Sequence, residues 1–391
     1  MKTIAVIFGG QSTEHDVSIV TALASVIKPL ELAGGYQIEP VYIAKDGSWY
    51  WDQKLKDIKL FQSGEIEEFM QKAPKIHLLF DNGLTLVKSS QFAGRKQYKK
   101  IDIVFPAMHG THGEDGELMG VLEMAGVPYV GCGVAASAVA MDKVLAKQVT
   151  QSFGLPSTPW MWLRAEELRS PAAALKKCES LKYPLFVKPA RLGSSIGITR
   201  VTEKAQLMNA LEVAAHYDDK IIVEQGVQNL IEVTLPIMGN TEPKPALLEQ
   251  PLLKSEDFFD FETKYMQGGK KGGKKGGKKG GGKAGAQGYS QLPADLPKDL
   301  YQKAETLGLE VYRAVGCEGI ARVDMLIDSK TKEVFFNEIN PLPGGLYEHN
   351  WRAAGVSSVN LVTNLVNYAL QRAAHKQQRT TVFNTNYLKQ F

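Results

Sequence analysis

The sequence predicts a mixed α/β and α+β fold that begins with an N-terminal domain built on a parallel sheet. In the first third of the chain, short apolar runs alternate with segments of helical periodicity, a pattern typical of parallel strands joined by helices. Later segments favour neighbouring strands with helices before and after them. The length of 391 residues corresponds to two to four domains at roughly 100–200 residues each. The chain is therefore long enough for several domains and a large core.

The first predicted domain covers residues 1–131. Its strands are expected in four apolar runs, at residues 3–8, 38–43, 101–106 and 128–130. Apolar residues three and four apart predict a helix at residues 17–27, directly after the first strand. This order of strand, helix and strand predicts the parallel sheet.

Two further domains are predicted, at residues 132–229 and 230–391. In the central domain, helices are expected at residues 134–153, 172–181 and 204–216, and strands at 158–163, 185–188 and 221–224. Gly154 and Pro156 follow the first of these helices and predict its end. The C-terminal domain is expected to hold strands at 231–238, 245–250, 320–327 and 334–339, and helices at 297–315 and 358–373.

Composition excludes several classes of protein. Hydrophobic residues make up 44% and charged residues 23% of the chain, and no window approaches 18 uninterrupted apolar residues. The apolar run at the N-terminus is too short for a signal peptide. The three cysteines are widely spaced and lack CxxC spacing, so neither a disulfide framework nor a zinc site is expected. We therefore expect a cytoplasmic protein with no membrane partner.

A Gly/Lys repeat at residues 268–288 departs from the rest of the sequence. It holds seven lysines, and removing these from the net charge of +4 leaves −3 for the remaining chain. The repeat has almost no apolar side chains and is predicted to be a flexible loop. Lysines spaced on glycine could instead bind a nucleic acid or another polyanion. Because the repeat lacks aromatic residues for base stacking, the loop interpretation is favoured and no nucleic-acid partner is expected.

Two lysines and a Gly/Ser turn predict a phosphate-binding site. Lys188 ends a buried strand and precedes residues 190–197 (ARLGSSIG), whose backbone amides can approach an oxyanion closely. Lys143 lies on the predicted helix at 134–153. The segment is not a P-loop, because GxxxxGK[ST] is missing. Residues 131–136 match a dinucleotide motif only loosely, since the expected acidic residue about twenty positions later is absent.

Acidic and amide side chains in the C-terminal domain predict a metal site. Arg322 and Asp324 are two residues apart, so they share one face of a strand, and Glu338 and Asn340 repeat this spacing on the next strand. If the two strands pair as a hairpin, the three oxygen-bearing side chains lie together. Oxygen-only ligand sets suit Mg²⁺ that bridges nucleotide phosphates. A polar sheet face without a metal would be the simpler interpretation of either strand alone.

Together these segments resemble the D-alanine–D-alanine ligase family of the ATP-grasp superfamily along most of the chain. Residues 9–18 (GGQSTEHDVS) resemble the family's opening turn and helix. Residues 109–116 (HGTHGEDG), followed by 128–131 and 141–143, resemble its longest signature. The segments 188–197, 322–324 and 337–344 complete the likeness. The resemblance implies a three-domain ATP-grasp fold, with ATP bound between the central and C-terminal domains.

The resemblance also implies roles for individual residues. ATP contacts are implied for Lys143, Lys188, Ser195, Glu224, Val227 and Glu232, with Glu224 and Val227 at the adenine edge and Glu232 at the ribose. Two Mg²⁺ ions, with Mn²⁺ as a substitute, are implied at Asp324, Glu338 and Asn340. Catalytic roles are implied for Glu14, Ser194, Tyr265, Arg322 and Gly344, and substrate binding for His109 and Lys264. Within these sets, Glu14 faces the ammonium group of the first amino acid, and Arg322 with the Gly344 amide stabilises an oxyanion.

The implied activity is ATP-dependent joining of two D-alanines through an acyl phosphate, which supplies D-Ala-D-Ala for peptidoglycan. D-alanine and ATP are the expected partners, and a homodimer is a further expectation. Two departures from the family leave alternatives open. Residues 345–351 (GLYEHNW) replace a Ser/Thr-containing run, which allows another acceptor such as D-serine or D-lactate. The repeat stands where the family has a compact lid, which allows a non-catalytic ATP-grasp protein that binds a polyanion.

Overall fold

The N-terminal sheet has the strand order β3–β2–β1–β7 in the computed structural model, which describes residues 1–81, 83–89, 96–252, 290–380, 382 and 385–391. Its strands are β1 (Lys2–Gly9), β2 (Tyr36–Ile43), β3 (Trp49–Trp51) and β7 (Ile103–Pro106). The central strand β1 runs parallel to both β2 and β7, which confirms the predicted parallel sheet. Every residue of β1 after Lys2 is buried, since helices and loops cover both faces.

The helix predicted at 17–27 is the middle of a longer helical segment. It begins as α1 (His15–Val20), continues through a π-helical stretch (Thr21–Ile27) and ends as α2 (Lys28–Ala33). One face of the π-helical stretch packs into the core through Ala22, Leu23, Val26 and Ile27. π-Helical turns change the direction of neighbouring side chains and are frequent at functional sites. Here the stretch holds Thr21, which contacts two segments of the candidate site.

A small antiparallel sheet in the N-terminal part was not predicted from the sequence. It contains β4 (Ile76–Phe80), β5 (Leu84–Ser89) and β6 (Lys96–Ile101), in that order. Its outer strand β6 is largely exposed and rich in lysine, so it has no apolar run. Two short helices, α3 (Ile58–Gln62) and α4 (Glu65–Lys72), precede the sheet. The predicted strand at 128–130 is only a single bridge between Tyr129 and Val104.

The single helix predicted at 134–153 is wrong, because Asp142 divides it. The segment forms α6 (Val134–Met141) and α7 (Lys143–Ser152), and α5 (Glu117–Ala125) precedes both. Asp142 is not helical, and its Oδ1 accepts hydrogen bonds from the amides of Val144 and Leu145 at 3.0 and 3.1 Å. An aspartate in this position satisfies amides that otherwise lack a partner at a helix start. The break places Lys143 at the first position of a helix.

The central sheet is antiparallel, with the order β10–β9–β11–β8. Its strands are β8 (Trp160–Arg164), β9 (Leu185–Pro189), β10 (Thr199–Val201) and β11 (Lys220–Gln225). Two helices, α8 (Pro171–Lys177) and α9 (Lys204–Tyr217), pack on it and bury residues that include Leu163, Val187 and Leu211. The predicted positions of β8, β9, β11 and the two helices are confirmed to within a few residues, whereas β10 was not predicted.

The C-terminal sheet has the order β13–β12–β16–β17. Its long strands β12 (Leu230–Met238), β16 (Ile320–Asp328) and β17 (Glu333–Asn340) pair antiparallel, and β13 (Lys244–Pro245) adds an edge. Helix α10 (Lys298–Val315) covers the apolar face, where a Cβ on Gly308 would lie 2.7 Å from Leu235. The strand predicted at 245–250 is wrong. Its ends belong to two separate pairings, because β14 (Gln250–Pro251) pairs with β15 (Ser290–Gln291).

The C-terminal helices return the chain to the N-terminal part. Helix α11 (Glu348–Ala353) is followed by α12 (Ser358–Gln377), whose Leu361, Val362, Leu365 and Val366 join the same core as β1 and α2. The N- and C-terminal elements therefore share one continuous apolar core. Among the described residues, no helix has the length and apolar character needed to span a membrane.

Candidate active site

Lys143 lies at the junction of the central and C-terminal sheets. Its side chain is buried, and Nζ donates a hydrogen bond to the carbonyl of Leu192 at 2.7 Å. The same Nζ lies 3.5 Å from Oε2 of Glu338 on β17. One lysine thus contacts both the Gly/Ser turn and the predicted metal site. A lysine in this position could bind a phosphate group that lies beside a metal ion.

Lys188 belongs to a buried cluster of two lysines and one glutamate. Its Nζ lies 2.5 Å from Oε2 of Glu224, and Nζ of Lys147 lies 2.6 Å from Oε1 of the same carboxylate. Burial opposes the ionised carboxylate, but the two ammonium groups prevail and lower the pKa of Glu224 to about 2. Burial alone would lower the pKa of Lys188, but the negative charges of Glu224 and Glu338 outweigh this effect and raise it. Burial lowers the pKa of Lys147 despite its contact with Glu224, so Lys188 is the cation of this cluster that the surrounding carboxylates stabilise.

The carboxylate of Glu224 therefore pairs with two lysines and does not face a space in which the edge of an adenine could bind. Both of its oxygens contact an ammonium group, and its side chain is almost fully buried. Val227 lies two residues past the end of β11, and Glu232 lies on β12. Any adenine contact near Glu224 would have to come from backbone groups at this strand end. Sequence reasoning missed Lys147, although its position one helical turn after Lys143 marks it as a neighbour.

The predicted hairpin between β16 and β17 is present and collects the polar side chains on one face. Asp324 lies opposite Glu338, and Arg322 lies opposite Asn340. On the other side of β16, Thr234 of β12 lies opposite Asp324. Because directly opposite residues of antiparallel strands share a face, these side chains form one polar surface. The surface lies on the side of the sheet away from α10.

Arg322 and Asp324 form a tight pair within this surface. Two guanidinium nitrogens of Arg322 donate to Asp324 at 2.8 and 2.6 Å, and the Asn340 amide donates at 3.2 Å. Thr234 Oγ1 also donates to Asp324. Although burial opposes its charge, Asp324 and the surrounding carboxylates raise the pKa of Arg322 well above its ordinary value. Its guanidinium also lies 5.2 Å from the ring centre of Tyr347, which restricts its position.

The same surface is chemically suited to Mg²⁺. Two carboxylates and one amide face each other from adjacent strands, and all three offer the hard oxygen ligands that Mg²⁺ prefers. Arg322 and Asn340 supply hydrogen bonds that fix the orientation of Asp324. The residues present therefore fit such an ion.

Glu14 links the N-terminal segment to the Gly/Ser turn. Ser194 Oγ donates a hydrogen bond to Oε1 of Glu14, so residues 180 positions apart meet. Ser194 and Ser195 both have positive φ angles, 55° and 60°, a backbone conformation that non-glycine residues rarely adopt. A Cβ on Gly193 would lie 3.3 Å from the Glu14 carboxylate, and one on Gly110 would lie 3.2 Å from it. The missing side chain at Gly193 therefore leaves room beside this carboxylate, whereas Ser12 Oγ fills the side next to Gly110.

His109 lies in a buried network that joins three segments. Its Nε2 is 2.8 Å from Thr21 Oγ1, and its backbone amide donates to Ser18 Oγ at 2.9 Å. The amide of Gly345 donates to the same Thr21 hydroxyl at 3.0 Å. Burial lowers the pKa of His109, so the neutral ring is favoured. The network ties α1, the loop at 109–116 and the Gly344 turn together.

Gly344 begins a short 3₁₀ turn (Gly344–Tyr347) directly after the strand that bears Asn340. Gly345, Leu346 and Tyr347 have φ angles of 58°, 53° and 53°. This left-handed run turns the chain sharply. In the sequence, Gly344 lies between Asn340 at the end of β17 and Tyr347. Tyr347 of this turn contacts Arg322, so the turn and Arg322 are neighbours, and the oxyanion role of Gly344 stays a prediction.

Glu114 is a functional candidate that sequence reasoning did not single out. Its Oε2 accepts the Gly110 amide at 2.7 Å, and its carboxyl group also accepts the backbone amide of Leu342. Burial, with a further contribution from the nearby charge of Glu14, raises the pKa of Glu114 to about 8. The signal in the sequence was a glutamate inside the glycine-rich run 109–116. Lys264 and Tyr265, the remaining candidates, lie outside the described residues.

Two family models together match most of the chain. Residues 3–132 match the model of the D-ala D-ala ligase N-terminus, and residues 149–367 match that of the D-ala D-ala ligase C-terminus. A D-alanine–D-alanine ligase of Acetivibrio thermocellus is 35% identical over 95% of this chain and 96% of its own length. One from Chloroherpeton thalassium is 33% identical over 97% and 99%.

Solved structures give the same picture. The D-alanine-D-alanine ligase from Coxiella burnetii superimposes with a TM-score of 0.77 at 28% identity, covering 96% of each chain. The VanG D-Ala:D-Ser ligase from Enterococcus faecalis superimposes with a TM-score of 0.73 at 30% identity, covering 94% of this chain and 99% of that one. These similarities extend over nearly the whole chain and include both sides of the candidate site.

Proposed function

This chain belongs to the D-alanine–D-alanine ligase family, has the ATP-grasp fold, and on that premise we propose how its residues carry out the reaction. The protein is an ATP-dependent ligase that joins two D-alanines through an acyl phosphate and supplies D-Ala-D-Ala for peptidoglycan. The observation that carries the residue assignment is the position of Lys143, which contacts both the Gly/Ser turn and Glu338. ATP phosphates gripped by this lysine would lie beside the metal surface.

We assign nucleotide binding to the buried cations and the strand ends near them. Lys143 and Lys188 would neutralise phosphate charge, the backbone at 195 and 224–227 would contact the nucleotide, and Glu232 would meet the ribose. Support comes from the contact of Lys143 with Glu338 and from the burial of both lysines, which strengthens electrostatic interactions. Asp324, Glu338 and Asn340 would hold Mg²⁺, which neutralises phosphate charge when bound.

Glu14 would bind the ammonium group of the first D-alanine and thereby orient its carboxylate toward the ATP phosphates. Ser194 would hold Glu14 in place, and the missing side chain at Gly193 leaves room beside the carboxylate for a small substrate. Arg322 and the Gly344 amide would then stabilise the negative charge that develops when the second amine attacks the acyl carbon. Fixed donors are effective here because they need no reorganisation in the transition state.

The acceptor is the least constrained part of this assignment. Residues 345–351 differ from the Ser/Thr-containing run of the family. One similar solved structure is described as a D-Ala:D-Ser ligase. D-serine therefore belongs in the test beside D-alanine, together with D-lactate. We further propose the domain division 1–131, 132–229 and 230–391, a cytoplasmic location and a homodimer, of which light scattering in solution tests the last.

The deciding experiment measures phosphate release from ATP with a panel of D- and L-amino acids, with the product identified by mass. We expect turnover with D-alanine, formation of D-Ala-D-Ala and loss of turnover in EDTA. Lys143→Met should abolish turnover, whereas Lys204→Met, the same change at an exposed lysine of α9, should not. No phosphate release with any D-amino acid would overturn the assigned activity, and full activity of Lys143→Met would overturn the residue assignment.

A further inference from the structure

Glu114 and Glu14 form a pair of buried carboxyl groups around Gly110. The Gly110 amide donates to Glu114 Oε2 at 2.7 Å, and the position of a Cβ on Gly110 lies 3.2 Å from Glu14 Oε2. Both side chains are largely withdrawn from solvent, at 6% and 9% exposure. Both carboxyl groups approach the same glycine in a largely dry environment, so burial and the charge of Glu14 both disfavour ionisation of Glu114.

The surroundings differ between the two members of the pair. Glu14 accepts a hydrogen bond from the Ser194 hydroxyl and borders the space beside Gly193. Glu114 lies deeper and is held by backbone amides of Gly110 and Leu342. Glu14 is therefore the member that a ligand can touch, and Glu114 is the member behind it.

The charges that face Glu114 come from three segments of the described chain. Glu14 approaches from the segment before α1, Arg322 from β16, and His109 from the same loop as Glu114. Burial favours the neutral form of His109, so it adds little positive charge near neutral pH. Arg322 is positively charged but is paired directly with Asp324. The carboxyl pair therefore lacks a cation of its own until a ligand brings one.

We propose that Glu114 is a proton-carrying positioning residue of the first amino-acid site, holding a proton while the site is empty and releasing it when a substrate ammonium group binds Glu14. This inference rests on the proposed role of Glu14. The step is a simple ionisation, in which the carboxylic acid of Glu114 becomes a carboxylate and the proton passes to buffer. The incoming ammonium supplies the positive charge that lets both carboxylates ionise. Because Leu342 lies two residues before Gly344, the change in Glu114 also reaches the oxyanion turn.

Proton release makes the affinity for D-alanine depend on pH. Near pH 7, a group with a pKa of about 8 is about 90% protonated, so close to one proton should leave per D-alanine bound. Lower pH opposes this release. The dissociation constant for D-alanine should therefore fall by up to about tenfold per pH unit between pH 6 and 8, and should level off above pH 8.

Calorimetric titration of the full-length protein with D-alanine, in the presence of ADP and Mg²⁺, tests the proposal. Titrations in buffers of different ionisation enthalpy give the number of protons released. We expect close to one proton from the wild type at pH 7, none from Glu114→Gln, and the wild-type value from Glu117→Gln, a control at an exposed glutamate of the same loop region. Glu114→Asp, which keeps an ionisable group, should restore release if it folds.

The outcomes separate this inference from the proposed function. D-alanine binding and ligation without proton release in the wild type would overturn the inference alone. Release that persists in Glu114→Gln would also overturn it, because another group would then carry the proton. If the wild type neither binds nor ligates D-alanine, the proposed function fails instead. Should Glu114→Gln not fold, the wild-type proton count and its pH dependence still decide the question.

Discussion

Replacing Glu224 by glutamine should destabilise the protein strongly, because its carboxylate pairs with two buried lysines beside the proposed nucleotide site. The change leaves Lys147 and Lys188 close together without the carboxylate that now lies 2.6 and 2.5 Å from their ammonium groups. Lys147 is fully buried, so water cannot replace the lost partner. Removing one member of a buried ion pair typically costs about 3–5 kcal/mol.

The pKa of Glu224 gives an independent magnitude. Its ordinary value of 4.5 is lowered to about 2 in the folded protein, and each pKa unit is worth about 1.4 kcal/mol. The ionised carboxylate thus contributes about 3 kcal/mol of stability above the unfolded pKa. A carboxylate with a lowered pKa loses this contribution as pH falls from about 4.5 toward 2. Acid should therefore destabilise the wild type over this range more than it destabilises Glu224→Gln.

Thermal unfolding at neutral and acidic pH is the assay. A loss of 3–5 kcal/mol should lower the Tm of Glu224→Gln by roughly 5 °C, whereas Glu212→Gln at an exposed position of α9 should change it by less than about 1 °C. Lys147→Met combined with Glu224→Gln should recover part of the loss, because one unpaired cation is removed. The reasoning is refuted if Glu224→Gln costs less than about 1 kcal/mol, or if the double variant loses the sum of the two single effects.

Three further substitutions test separate parts of the site. Arg322→Lys should reduce the kcat of ligation by about 100-fold or more, since lysine cannot form two parallel hydrogen bonds with Asp324. An unchanged kcat would exclude Arg322 from the oxyanion role. Glu338→Gln should raise the Mg²⁺ concentration for half-maximal ATP turnover at least about tenfold, and an unchanged metal titration would exclude Glu338 as a ligand. Asp142→Ala should lower the free energy of unfolding by about 1–2 kcal/mol through loss of the α7 cap, as measured by urea denaturation.

The sequence predicts an element well when the element is buried, because burial then requires apolar residues in a regular pattern along the chain. The parallel strands at β1 and β2 are buried over nearly all of their length, so their apolar runs are continuous. Strand β6 is mostly exposed and paired only through its backbone, which leaves no apolar pattern to detect. The break at Asp142 was hidden for another reason. A helix cap depends on a hydrogen bond between side chain and backbone, and apolar periodicity continues across it.

The site shows the same limit. Spacing of two along a strand was enough to place Asp324 and Glu338 on a common face, because register in a hairpin follows from alternation. No comparable rule predicts contacts between segments that are distant in the sequence. The approach of Ser194 to Glu14, and of Glu114 to Leu342, depends on how separate elements pack. The engagement of Glu224 by Lys147 likewise follows from packing of α7 against β11 and not from any local pattern.

The turn after Gly344 shows how packing sustains a conformation that the local sequence disfavours. Leu346 and Tyr347 both have φ near 53°, and such a left-handed residue costs roughly 1–2 kcal/mol. Three interactions offset that cost: Leu346 is fully buried, the Gly345 amide donates to Thr21, and the Tyr347 ring lies against Arg322. Each of them uses a partner from a different part of the chain. The turn therefore keeps its shape only while the π-helical stretch and β16 are both in place, so the geometry near Arg322 depends on packing between the N-terminal and C-terminal parts of the chain.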